Sequence, residues 1–145
     1  MNRKPQRGVA LIEFALILPL LLILAMIVTE FGRALYLYNS AAKSVRDAVR
    51  YLSLQTPKTH ITEASNLVVY GNIHGDGEPL DNNLNTSHVV INDDSWKFEG
   101  TAPAINTVTV RVTGYQFRPM LSGMFGVTFG TLTFSDITAT MRSQI

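Results

Sequence analysis

Gly8-Val9-Ala10-Leu11-Ile12-Glu13-Phe14 opens a run of twenty residues, Val9 to Val28, in which Glu13 is the only charge. At about 1.5 Å per helical residue the run spans roughly 30 Å, the hydrocarbon thickness of a bilayer. It reads as a transmembrane helix. Its one carboxylate is costly there, about 2.5 to 3.5 kcal/mol at a helix centre and less near an end, so Glu13 marks a functional site by default. The alternatives are a carboxylate that snorkels to the headgroups with no partner and a cleaved secretory signal. The apolar run is too long for the core of such a signal, and Gly32-Arg33-Ala34, its small-x-small candidate, lies beyond the run and carries charge. Arg3, Lys4 and Arg7 precede the run with no acid among them, which places the N-terminus in the cytoplasm and the remainder outside.

Outward from this run, the helical pattern continues. Phe31, Leu35, Tyr38, Ala42, Val45, Val49 and Leu52 recur at steps of three and four, a packing stripe of helical period. Its C-terminal half suits the core of a soluble domain, and its first part, Phe31 to Tyr38, suits contact with helices of other subunits. Lys43, Asp47 and Arg50 stand on other faces at ion-pair spacing. Pro19 removes one backbone donor inside the run, Gly32 is a soft point, and Thr56-Pro57 ends the helix.

Beyond Thr56 the sequence reads as a β-rich domain. Leu67 to Tyr70 and His88 to Ile91 are candidate strands, with Asn92-Asp93-Asp94-Ser95 turning the chain toward Trp96 to Phe98 as a hairpin. Val108, Val110 and Val112 alternate with Thr107, Thr109, Arg111 and Thr113, a half-buried strand by strict period two. Leu132 to Phe134 and Ile137 to Met141 read as two further strands or one bent strand, with the inward parity changing at Ser135-Asp136 as a bulge would make it. The fold class is therefore α+β, a long N-terminal transmembrane and amphipathic helix covering a small antiparallel sheet. The expected divisions are a leader at 1–8, a transmembrane helix at 9–28, its amphipathic extension at 29–55 and an exported β-rich domain at 56–145.

Composition excludes several function classes. From Thr56 onward five basic residues face eight acidic ones, which argues against a nucleic-acid surface. Cysteine is absent, so disulfides and thiol chemistry are excluded. Asp76, Glu78, Asp81 and Asn82-Asn83 lack the spacing of a calcium loop, and His60, His74 and His88 lack that of a zinc site. No nucleophile elbow or glycine-rich phosphate loop is present, so neither an enzyme nor a cofactor is expected.

With these residues in view, the basic leader, Gly8 and Val9 to Phe14 resemble the processing site of type IV prepilins and pseudopilins. Glu13-Phe14-Ala15, Pro19, Glu30-Phe31-Gly32-Arg33-Ala34-Leu35-Tyr36 and Ala48-Val49-Arg50-Tyr51 are similar to the TadE-like family of Tad (Flp, type IVb) pilus proteins. So are Val108-Thr109-Val110, Phe117-Arg118-Pro119 and Thr140-Met141-Arg142. The resemblance implies a minor pilin or pseudopilin of the bacterial inner membrane with its C-terminal domain in the periplasm, active in assembling an adhesive filament. It implies cleavage after Gly8 by a prepilin peptidase, Val9 as the mature terminus, and pairing of that terminus with Glu13 of a neighbour. Partners would be other pilins or pseudopilins and the Tad assembly platform. A type II secretion pseudopilin and a membrane-anchored periplasmic binding module, with its loops around Gly71 to Asn85 holding a glycan or peptide, are the alternatives.

Overall fold

The computed structural model describes residues 7–100 and 105–144; Arg3 and Lys4 of the leader lie outside the described residues. Helix α1 runs unbroken from Arg7–Ser53, 47 residues and about 70 Å, passing through both Pro19 and Gly32. Its first half touches almost nothing, so Leu, Ile, Val and Phe side chains from Val9 to Val28 lie exposed. Its second half is the spine of the domain.

A second helix, α2 (Ile61–Tyr70), packs against that spine through Ala64, Val68 and Val69. This corrects the reading of Leu67 to Tyr70 as a strand. Leu67-Val68-Val69-Tyr70 has strand-like composition, but Ile61, Ala64 and Val68 step at three and four, and burial against α1 decides the matter in favour of the longer period. Gly71 closes α2 in the left-handed region (φ 72°), its N–H bonded to the Leu67 carbonyl at 3.1 Å.

The sheet is built on β3 (Ile105–Val112). One edge of β3 pairs antiparallel with β8 (Ile137–Arg142), from Val112 opposite Ile137 to Thr107 opposite Arg142. β8 covers that edge from 107 to 112, so β1 (Val89–Val90) and β2 (Trp96–Glu99) share the other. The expected hairpin through Asn92 to Ser95 is therefore corrected: β1 and β2 do not pair with each other. They are two pieces of one edge strand, interrupted by a 3-10 turn at Asp93–Ser95 and held by Asn92 N–H donating to Ser95 Oγ at 3.0 Å. Of the two readings of 132–141, the structure takes two strands: Ser135-Asp136 divides strands in different sheets, since β7 (Leu132–Thr133) pairs with β4 (Gln116–Phe117).

Alternation on β3 sets the core. Val108, Val110 and Val112 are buried with Val45, Ala48, Val49 and Leu52 of α1 and Ala64 and Val68 of α2. On the solvent side Thr109 and Thr140 join hydroxyls at 2.8 Å across the β3–β8 pair. The end of the chain is pinned to the end of the helix, with Gln144 N–H donating to the Ser53 carbonyl at 2.9 Å. The molecule is thus α+β, a long helix half of which is covered by a small antiparallel sheet.

Candidate functional site: the N-terminal helix and its clamp

Gly8, Val9 and Glu13 all lie within α1, in its first two turns, and all are exposed. Val9 and Glu13 are four apart and so share a face. Among the described residues no hydrogen bond or ion pair engages Glu13. A Cβ added at Gly8 or Gly32 would meet nothing within 4 Å, so neither glycine is required by packing within the chain.

Along the stripe, Val45, Val49 and Leu52 are buried in the main core, and Tyr38 and Ala42 flank it. Phe31 and Leu35 face outward at 61 and 48 % exposure. Over that stretch the face turned toward the domain carries Ala34 and Leu37 instead, packed with Phe117 in a second small cluster. Lys43, Asp47 and Arg50 form no ion pair among the described residues, where the pairs are Glu30–Arg33 and Lys58–Asp93.

The Glu30–Arg33 pair is the polar centre of the region just beyond the apolar run, and only its residue types were visible in the sequence. Arg33 donates from Nη2 to Glu30 Oε2 at 2.9 Å and to the Arg118 carbonyl at 2.6 Å, and its guanidinium lies 4.3 Å from the centroid of Phe117. Glu30 Oε1 accepts the Met120 N–H at 3.2 Å. Two side chains one turn apart therefore clamp the 117–120 segment onto the helix immediately beyond the apolar run. The signal available beforehand was the i, i+3 acid–base spacing next to Gly32. It named a pair but not the segment it holds.

Higher up, Tyr38, Tyr115, Phe117 and Phe134 form an aromatic cluster with centroid separations of 5.1 to 6.4 Å. Tyr115 donates to Asp81 Oδ2 at 2.6 Å; burial, aided by that hydrogen bond, pushes its phenol well above the ordinary range. Asp81 of the acidic loop is thus engaged by Tyr115. Asn72 Oδ1 accepts the backbone N–H groups of His74, Gly75 and Asp76, which organises the neighbouring turn. His88 Nδ1 accepts the Asn85 N–H at 3.2 Å and closes a small cap. Beside it lies a polar depression of about 430 Å³ lined by Asn82, Asn83, Asn85, His88, Gln116 and Arg118.

Among the described residues one helix, near the N-terminus and uncovered over its first half, is long and apolar enough to cross a membrane, which is consistent with membrane anchoring. Comparison with known families gives that helix its kind: residues 8–50 match the family described as TadE-like protein. The likeness to the TadE-like family is thereby shown over residues 8–50. No curated protein and no solved structure matches the chain.

Proposed function

We propose that this protein is a minor pilin or pseudopilin of a Tad (Flp, type IVb) pilus, held in the inner membrane by α1 with residues 56–145 in the periplasm. The observation that carries this reading is the bare first half of α1, a continuous apolar surface whose one carboxylate, Glu13, has no partner among the described residues. The TadE-like match over the same helix supports it.

The chemistry follows from the peptide bond before Val9. While Gly8 is attached, the Val9 nitrogen is an uncharged amide; cleavage by a prepilin peptidase turns it into an ammonium. An ammonium and a carboxylate each desolvated in lipid are costly, and one contact between neighbouring subunits offsets both. Processing after Gly8 then serves as the event that makes Glu13 useful, since packing before cleavage would bury it unpaired. The outward Phe31 and Leu35 extend the contact surface beyond the bilayer.

The test is intact mass after co-expression with the cognate prepilin peptidase, with loss of residues 1–8 expected. An unshortened chain under conditions that process another pilin refutes the cleavage. Glu13→Ala is expected to insert normally and to impair piliation, and normal piliation refutes the pairing. A second reading, an anchored module that binds a glycan or peptide, is favoured by the amide-rich depression at Asn82, Asn83 and Asn85. Crosslinking in cells separates the two: recovery with pilins or the assembly platform supports the first, and recovery with neither supports the second.

A further inference from the structure

We infer that residues 119–129, which include the hairpin of β5 (Gly123–Met124) and β6 (Val127–Thr128), form a second membrane contact, seated in the lipid interface of the leaflet from which α1 emerges. The inference rests on α1 being a membrane anchor.

The path of the chain carries the first part of the argument. Tyr115 packs on Phe134, which packs on Tyr38; Phe117 packs on Ala34 and Leu37. The Arg118 carbonyl is held by Arg33, and the Met120 N–H by Glu30. Pro119 and Phe129 share an apolar groove of about 250 Å³ with Ile27 and Phe31. These contacts step down the helix from 38 to 27, toward the apolar run and onto its last turn. The hairpin springs from the end of this path, where Thr128 lines the same groove as Ile27. At about 3.3 Å per residue its two-residue arms carry the turn at Phe125-Gly126 several ångströms further, a depth typical of interfacial insertion.

Its composition suits only one side of that boundary. Between Arg118 and Asp136 no residue is charged. Met120, Leu121, Phe125 and Val127 are 78, 47, 59 and 41 % exposed, a concentration of bare apolar side chains where the domain meets the helix exit. The turn is still more telling. Phe125 and Gly126 both have positive φ, 50° and 83°, the geometry of a two-residue hairpin loop that ordinarily takes Asn-Gly. A bulky aromatic in the left-handed region is a genuine outlier, and this one has no compensating burial within the chain. Lipid supplies that burial. Arg118, exposed at the head of the segment, is placed for the phosphate level.

The chain has no cysteine, so single-cysteine variants carry one environment-sensitive fluorophore each. The full chain is reconstituted into vesicles of phosphatidylethanolamine and phosphatidylglycerol containing a lipid with a nitroxide just below the headgroup. Labels at Phe125→Cys and Met120→Cys are expected to shift to the blue and be quenched by the nitroxide. A label at Phe98→Cys should stay accessible to aqueous iodide, since Phe98 pairs with Asn106 near Ser53, about 37 Å along α1 beyond Val28. Leu20→Cys, inside the apolar run, reports the anchor itself. A blue-shifted, iodide-protected label at 20 with water exposure at 125 and 120 overturns the hairpin contact and leaves the anchor standing; iodide access at 20 overturns the anchor. Protection at 125 that vanishes as the protein is diluted in lipid identifies a second copy as the cover and overturns the lipid contact.

Discussion

Removing Arg33 should release the 117–134 segment while leaving the main core intact. In Arg33→Ala the chain loses the charge-assisted bond to the Arg118 carbonyl and the contact over Phe117, and Glu30 keeps its carboxylate without a counter-ion. A hydrogen bond to a charged group contributes about 1.5 to 3 kcal/mol, and a partly exposed cation–aromatic contact about 0.5 to 1. Stranding a fully buried partner costs about 3 to 5 kcal/mol. The Arg33 and Glu30 side chains are 28 and 11 % exposed, so solvent screens them and that figure must be cut substantially. These contributions overlap, and about 2 kcal/mol of local stability is a reasonable total. The readout is hydrogen exchange of backbone amides in detergent or nanodiscs. A local loss of about 2 kcal/mol raises exchange by roughly 30-fold in residues 117–134, at about 1.4 kcal/mol per decade. Amides of α2 and of β3, held by the separate core around Val45 and Val110, should be unchanged. Glu30→Gln added to Arg33→Ala should restore part of the protection, because the stranded charge is then gone. Exchange in 117–134 that stays at the wild-type rate, or accelerates equally in α2, would refute the clamp.

Three further outcomes follow from the same geometry. Tyr115→Phe removes the bond to Asp81 and should cost about 1 kcal/mol, a fall of about 4 to 8 °C in the thermal midpoint of a domain this size. Because the folded phenol binds its proton more tightly than the unfolded one, Tyr115 contributes stability below the unfolded value of about 10, and this is lost as pH rises above it. Alkaline denaturation followed by circular dichroism should accordingly be shallower in Tyr115→Phe. Leu52→Ala, at a fully buried position, should cost about 2 to 5 kcal/mol in urea unfolding of the detergent-solubilised chain. A Cβ at Gly123 would stand 2.6 Å from the Val127 carbonyl oxygen, whereas one at Gly130 meets nothing within 4 Å. Gly123→Ala should therefore speed exchange across 120–129, and Gly130→Ala should not.

What the sequence disclosed depended on the range of the interaction responsible. α1 was legible almost to the residue, because an apolar run and a stripe of period 3.6 are local signals and Thr56-Pro57 is a local stop. β3 was legible for the same reason, as alternation over eight residues needs no knowledge of its partners. α2 was misread where Leu67 to Tyr70 was taken in isolation; the three-and-four spacing from Ile61 shows only in a longer window. The broken edge strand was misread because Asn92 to Ser95 has turn composition whether the chain reverses or merely bulges, and only the register on β3 separates the two. At the candidate site, Gly8 and Glu13 stood out as a glycine and a charge against an apolar background. The clamp did not, since Glu30 and Met120 are ninety residues apart in sequence.

Gly32 ties these elements together. A glycine at the centre of a 47-residue helix costs up to about 1 kcal/mol relative to alanine, and this one lies just past the apolar run, where a bend would change the angle between that run and the domain. Among the described residues nothing approaches it closely enough to demand the missing Cβ. Glu30 and Arg33 bridge that weak turn from one side, and through Met120 and Arg118 they lash a second segment across it. The helix is therefore splinted where its backbone is softest, by a strap whose far end is the uncharged hairpin. If a neighbour's helix is what needs the space at Gly32, the splint lets the chain keep an open groove there without a hinge. The angle between the apolar run and the domain then depends on one ion pair, and Arg33→Ala should loosen that angle as well as the 117–120 segment.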